Sequence, residues 1–417
     1  MFKTTFKNGG GPGMRFLFYS HDGLGLGHTR RHLALAAALT ELAPEASVLL
    51  VSGADDVHRL GLPDNVEVIK LPCLRKVAND HYVSRRLRIS TSQIRALRSA
   101  LLLATVKSYR PTVVLVDKHP LGAGGEFQAA LEKVRTYGGH AVLGLRDILD
   151  ERETVLQEWA PENLQAAIAE FYDLVFVYGH RSVFDPIAEY DFSPAVVERT
   201  RFCGYVINRE EPEGRSDIRW SALTLQNRPR PVVLATSGGG EDGCPLLETF
   251  MRAAAGAAWQ GIVVTGPMTP LHDFKRLQRL ADETKVMLHT FVQNLSSLFW
   301  SVDGLVCMGG YNTLVEAVSR GLPTVCVPRT APRAEQLLRA LAFERLGLLR
   351  TLRPEQLSAE TLRNQVDGAV RDGRQKALDR ANAVLSFDGA RKAASHLLAL
   401  AATKAEHATA ASERAAS

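Results

Sequence analysis

Short apolar runs recur along the chain, each followed by a glycine-rich or polar turn and then by apolar positions at helical spacing. The first such unit is Arg15-Phe16-Leu17-Phe18-Tyr19, a glycine loop, and an Ala/Leu-rich helix expected over 29–42. Further strands are predicted at 48–51, 66–69, 113–116, 141–145 and 174–177. A second series opens at Pro231-Val232-Val233-Leu234-Ala235 and continues at 261–265, 285–288, 304–308 and 324–327, before a helical segment over 354–401. Strands alternating with helices predict a parallel α/β architecture. The polar stretch 208–231, with its prolines and arginines, separates the two series and reads as a linker. The chain thus divides into a disordered lead-in (1–13), a first domain (14–208), a linker (209–230), a second domain (231–401) and a frayed tail (402–417).

Composition excludes several classes of function. A chain of 417 residues is long enough for two domains, each with its own core. Its net charge of +5 is too slight to imply a nucleic-acid partner. The five cysteines are dispersed with no C-x-x-C pair, which argues for free thiols in a reducing, cytoplasmic setting and against a zinc site. The longest apolar run, near 100–106, is far below the roughly 20 residues that a bilayer requires. The start of the chain has no apolar core of signal-peptide length.

The most informative chemistry lies between 301 and 340. Gly309-Gly310 sharply ends an apolar strand and leads into a helix that Asn312 or Thr313 would cap. Thr313 and Glu316 have the spacing of a capping box, which accounts for Glu316 without any ligand. The alternative uses the unpaired amides and positive end of the helix to hold a diphosphate, with the glycines admitting close backbone approach. Glu316 would then accept the hydroxyls of a ribose, and Glu335 and Gln336 would address a sugar from the next loop.

Together Gly309, Gly310, Asn312, Thr313, Glu316, Ala317, Gly321, Pro323, Pro328, Arg329, Glu335 and Gln336 resemble the donor-site signature of a group of GT-B glycosyltransferases. That group includes the peptidoglycan N-acetylglucosaminyltransferase that forms lipid II and the plant monogalactosyldiacylglycerol synthases. The resemblance implies two doubly wound, Rossmann-like domains facing each other across a cleft. It implies donor phosphates at Gly310–Thr313, a ribose at Glu316 and the donor sugar at Gln336. The expected donor is UDP-linked, with UDP-N-acetylglucosamine one candidate. The acceptor stays open among saccharides, lipid-linked saccharides and small molecules, in keeping with cell-envelope or other saccharide biosynthesis.

The loop Gly23-Leu24-Gly25-Leu26-Gly27-His28 follows the first strand. Its G-x-G-x-G spacing fails the dinucleotide fingerprint, so no nicotinamide or flavin cofactor is expected. It resembles the glycine-rich loop ending in Gly-His of the same glycosyltransferases, although they carry a Gly-Gly-Thr-Gly-Gly-His form. His28 is either a capping residue or a general base for the acceptor hydroxyl, to which its unperturbed pKa is suited. Asp22 could orient His28 or act as base itself, or simply form the turn before glycine.

In the second domain, Ser237, Gly238, Gly239 and Gly240 can form an anion-binding nest. By resemblance, Gly266, Phe291 and Val292 would flank the nucleobase. Gly27, Asp117, Glu126 and Arg146, at strand ends or in loops of the first domain, are acceptor-side candidates. No D-x-D motif stands at a donor position, so the expected reaction is an inverting, metal-independent transfer with no cofactor beyond the sugar nucleotide. A sugar-nucleotide epimerase of the same fold and a non-catalytic GT-B subunit are the alternatives. The run from Arg85 through Arg98 reads as a basic helical stripe with Arg88, Arg95 and Arg98 on one arc. It is either a solvated face or a contact with anionic lipid at the inner membrane surface or with an acceptor phosphate. Oligomeric state is not legible.

Overall fold

The computed structural model describes residues 13–21, 27–54, 57, 61–78, 81–208, 230–292 and 294–416. In the first half the apolar runs become β1 (Arg15–Ser20), β2 (Ser47–Ser52), β3 (Val66–Lys70), β4 (Leu74–Ala78), β5 (His81–Ser84), β6 (Val113–Asp117), β7 (His140–Arg146), β8 (Leu174–Tyr178) and β9 (Thr200–Phe202). The second half supplies β10 (Val232–Thr236), β11 (Gln260–Val264), β12 (Met287–His289), β13 (Gly304–Cys307), β14 (Thr324–Cys326) and β15 (Arg350–Thr351).

Two parallel sheets result. The first has the order β3-β2-β1-β6-β7-β8-β9 and the second β12-β11-β10-β13-β14-β15, while β4 and β5 pair as an antiparallel hairpin. The central strands β1, β6, β10 and β13 are buried almost throughout, because helices cover both faces of each sheet. In both sheets the order reverses beside the first strand, between β1 and β6 and between β10 and β13. Ligands of open parallel sheets bind at such reversals, beyond the carboxyl ends of the strands. The doubly wound, two-domain architecture is as expected from the sequence.

The chain crosses between the domains twice at one place. Tyr205 N donates to Ser386 O (2.9 Å) and Gly389 N to Tyr205 O (3.1 Å), so the outgoing and returning segments lie side by side. The last helix, Gly389–Ala416, then packs on the first-domain helix Gly27–Leu42. It was expected to belong to the second domain up to 401 and to fray beyond. Instead its backbone is helical through Ala416, in keeping with its high alanine content. Nearly all of the expected linker, 209–230, and the lead-in 1–12 lie outside the described residues.

The basic stripe is corrected by burial. The helix starts at Thr91, after Arg85–Arg88, where Ser90 and Gln93 close a capping box. Arg98 is fully buried rather than on a solvated arc with Arg95. It donates from Nε and Nη2 to the two oxygens of Glu126, at 2.6 Å each, and Tyr19 donates to the same carboxylate. Glu126 is thus part of an internal ion pair and not an acceptor-facing side chain. An isolated buried charge costs several kcal/mol, so the two are present as a pair.

Candidate active site at the domain interface

Each sheet places one half of the site at its point of reversal. In the first domain, Asp117 ends β6 and His28 stands in the first turn of the helix Gly27–Leu42 that follows β1. His28 Nδ1 lies 2.9 Å from Asp117 Oδ2. Arg31, one helical turn beyond His28, donates from Nη2 to the same Oδ2 at 2.6 Å. His32 Nε2 approaches it at 3.7 Å. Burial opposes ionisation of Asp117, but Arg31 and then His28 outweigh it and hold the carboxyl well below its usual range. Burial keeps His32 neutral, with its pKa lowered to about 4, and it depresses His21 strongly as well, helped by His119 and His28. His21 packs against both His28 and His119, with ring centroids 5.5 and 4.7 Å away.

Asp117 therefore does what was expected of Asp22: it is the carboxylate that holds His28. Asp22 itself lies outside the described residues. A carboxylate on Nδ1 is the arrangement that orients an imidazole and fixes its proton on that nitrogen.

In the second domain, Gly309 follows β13 with φ +86°, and a Cβ there would crowd Cys326 Sγ at 3.1 Å and the Gln336 backbone at 3.2 Å. That is why glycine stands at this position. Gly310 is the N-cap of the helix Tyr311–Ser319, and no side chain caps it. The expected capping by Asn312 or Thr313 does not occur, because the N-cap is Gly310, two residues before Asn312 and three before Thr313. With Thr313 inside the helix, its first amides lack a capping side chain, as an anion site requires. Asn312 instead reaches across the interface and donates to Gly27 O at 3.2 Å. Glu316 is buried one turn in, electrostatically close to Arg320.

The partner loop follows β10. Ser237 turns its hydroxyl to Thr265 O (2.6 Å), and Gly238 N donates to Thr236 Oγ1 (3.3 Å). Gly266 has φ +107° and packs directly on the Gly238 and Gly239 carbonyls, where no Cβ would fit. Phe291 is exposed and Val292 buried beside it. Gln336, with its amide turned to satisfy both neighbours, donates to Met308 O and accepts from Arg329 Nη2 at 2.9 Å. Arg329 also pairs with Asp242 at 3.2 Å and so ties the two donor-side loops together.

The two halves touch. Glu335, expected to address the donor sugar, is paired with Arg146, expected on the acceptor side, at 2.6 Å. Burial opposes ionisation of Glu335, yet Arg146, Arg339, Lys118 and Arg333 together lower its pKa to about 2. Below this pair Arg339 and Asp147 are fully buried, with Nη2 2.8 Å from Oδ1. Tyr311 donates to Tyr178 O at 2.9 Å and accepts from Val206 N at 3.3 Å. Sequence reasoning missed Arg31, Tyr311 and Arg339 as members of this interface, and read Asp147 only as a strand-end residue beside Arg146 facing the cleft. The only signals were their spacings, Arg31 three residues after His28 and Arg339 four after Glu335.

Residues 251–397 match the glycosyltransferase family 28 C-terminal domain. That match lies within the second domain and takes in most of it. A UDP-N-acetylglucosamine–N-acetylmuramyl-(pentapeptide) pyrophosphoryl-undecaprenol N-acetylglucosamine transferase of Salmonella arizonae is 26% identical over 183 residues, 43% of this chain and 51% of the relative. The chain thus spans about half the length of such relatives. A glycosyltransferase of Methanosarcina mazei, itself uncharacterized, is 23% identical over 379 residues, 86% of this chain and 92% of the relative. The crystal structure of a calicheamicin glycosyltransferase superposes with a TM-score of 0.60 at 18% identity, covering 93% of this chain and 98% of that one. That likeness establishes the GT-B fold. The residues expected on the donor side from Gly266 to Gln336 fall inside the family 28 match, whereas His28, Asp117 and Arg31 lie outside it.

Proposed function

We propose that the chain is an inverting glycosyltransferase that moves a sugar from a nucleoside-diphosphate donor, UDP-linked in the first instance, to an acceptor hydroxyl. The observation that carries this reading is the pairing of two half-sites. A His28–Asp117 pair at one point of strand-order reversal faces an uncapped helix N-terminus at the other, within a domain of glycosyltransferase family 28. His28 Nε2 takes the proton of the acceptor hydroxyl, whose oxygen attacks the anomeric carbon opposite the departing diphosphate. Charge growing on the diphosphate is met by the amides of Gly310–Thr313 and of Gly239–Gly240, which is where preorganised donors act most strongly. A divalent ion has no step in this scheme, so turnover in excess chelator is expected.

Glu316 receives the ribose hydroxyls, and Gln336 the sugar. Glu335 leaves Arg146 to join it when the donor enters. The acceptor is a saccharide, free or lipid-linked, or a small molecule. Among the described residues no helix is long and apolar enough to cross a membrane. Any lipid-linked acceptor would be met from the surface, where Leu87, Ile89, Leu97 and Leu101 are exposed beside Arg88 and Arg95.

A thermal-shift screen across sugar nucleotides tests the donor assignment. A true donor at 100 times its dissociation constant stabilises by about 2.7 kcal/mol. Glu316→Ala is expected to abolish the shift while folding normally; a shift unchanged in that variant would refute the assignment.

A further inference from the structure

Three polar atoms form a triangle at His28. Its Nδ1 is 2.9 Å from Asp117 Oδ2 and 3.0 Å from Arg31 Nη2, and Arg31 Nη2 is 2.6 Å from the same Oδ2. A guanidinium only donates and a carboxylate only accepts, so Nδ1 cannot satisfy both neighbours at once. If it carries the proton, it donates to Asp117 and Nε2 holds the lone pair that a base needs. If it accepts from Arg31, the proton sits on Nε2 and the ring cannot act on an acceptor from that nitrogen.

Arg31 is buried, and its Nε has no hydrogen-bond partner among the described residues. What faces its guanidinium is aromatic: the rings of Tyr178 and Tyr311, with centroids 5.1 and 5.5 Å away. Tyr311 is the first helical residue after the Gly309-Gly310 turn, and Arg339 lies over the same ring at 5.6 Å while donating to Gly309 O at 3.3 Å. One aromatic ring therefore stands between an arginine that holds the diphosphate turn and an arginine that contends for the histidine. Such contacts gain strength when desolvated, as here.

We propose that Tyr311 and Arg31 are positioning residues that set the tautomer of His28 according to the state of the diphosphate turn. When a diphosphate settles on the turn, Tyr311 shifts with its backbone and draws Arg31 from Nδ1. The proton is then held on Nδ1 by Asp117, after exchange with solvent removes it from Nε2. Base and donor site are thereby armed together, which couples the two domains without direct contact between acceptor and donor. This rests on the reading of His28 as base and of Gly309–Thr313 as the diphosphate site.

The test uses the full chain with ¹⁵N-labelled histidine, long-range ¹H–¹⁵N correlation at about pH 8, where imidazoles are neutral, and UDP as the probe. The His28 signals are assigned by their loss in His28→Gln. UDP is expected to raise the Nδ1–H to Nε2–H ratio about fivefold, the ratio that one ordinary hydrogen bond is worth. Tyr311→Phe, which keeps the ring, keeps the response. Tyr311→Leu binds UDP and loses it. If Tyr311→Leu does not fold, Arg31→Lys, which keeps the charge and loses the planar fork, is expected to lose the response instead. A response surviving in the deciding variant overturns the proposal. UDP binding with no tautomer change in the wild type overturns it too, and leaves the donor reading standing. No UDP binding at all overturns the donor reading and this inference with it.

Discussion

Arg339 of the second domain and Asp147 of the first are each fully buried and paired, Nη2 to Oδ1 at 2.8 Å, with Tyr205 adding a hydrogen bond to the same carboxylate at 3.3 Å. The pair fastens the helix Glu335–Arg345 to the loop after β7. Removing one partner leaves an uncompensated buried charge, which costs about 3–5 kcal/mol, whereas replacing both by apolar groups of similar volume is often neutral. Asp147→Leu should therefore lower the urea midpoint strongly, and Asp147→Leu/Arg339→Met should recover most of the loss. A single variant as stable as the wild type would mean that the pair does not hold the interface.

The neighbouring Arg146–Glu335 pair makes an acid-dependent contribution. Burial works against the Glu335 carboxylate, and Arg146 with the surrounding cations overrules it, lowering the pKa to about 2 from the ordinary 4.5. A depressed carboxylate pKa means that the folded state prefers the charged form. The resulting stability is complete above about pH 4.5 and is lost as pH falls through 2. Glu335→Gln should flatten the fall of melting temperature across that window and leave the slope above pH 5 unchanged. An equal slope in both proteins would show that the pair contributes nothing.

His28 provides the catalytic test. General-base catalysis by a positioned side chain contributes typically 10²–10⁴-fold, so His28→Ala should lower kcat by about that factor with donor KM little changed. Asp117→Asn should fall in the same direction, because an amide in place of the carboxylate no longer holds the proton on Nδ1. The measurement is initial-rate kinetics with the donor that the thermal-shift screen identifies. Loss of donor binding in His28→Ala, with kcat intact, would move His28 from base to donor ligand.

The inner strands of both sheets were legible in the sequence because strands buried on both faces are written as short, continuous apolar runs, as at 15–19 and 304–308, whereas the short edge strands β9 and β15 were not expected. The residues assigned to the donor half of the proposed site stood out for a different reason. Gly309, Gly310, Glu316, Glu335 and Gln336 lie within one segment, so their spacing survives in one dimension. The base half was only partly legible. His28 was visible, but Asp117 is 89 residues away and meets it only because β6 pairs beside β1. Arg339 and Asp147, 192 residues apart, carry no local mark of their pairing. The capping box at Thr313 and Glu316 failed because a glycine can serve as N-cap, which moved the cap back three residues, from Thr313 to Gly310. Arg98 misled because helical spacing tells which residues share a face and not whether that face is wet.

That last distinction can be measured. Arg88, Arg95 and Arg98 look equivalent in the sequence, yet Arg88 and Arg95 are exposed while Arg98 is buried and paired with Glu126. Arg98→Met leaves the Glu126 carboxylate buried and short of its cation, so a loss of about 3–5 kcal/mol is expected. Arg88→Gln and Arg95→Gln are surface changes and should each stay within about 0.5 kcal/mol of the wild type. Their effect should appear instead in binding to vesicles that contain anionic lipid. Each arginine near such a surface is worth about 1 kcal/mol, so losing two should weaken association by roughly thirtyfold at moderate salt. Co-sedimentation with anionic and with neutral vesicles separates the outcomes. Weakening on anionic vesicles alone supports a charged docking face, and unchanged sedimentation removes membrane contact from the reading of this helix. Arg98→Met is no substitute in that assay, since its effect on binding would be confounded by its loss of stability.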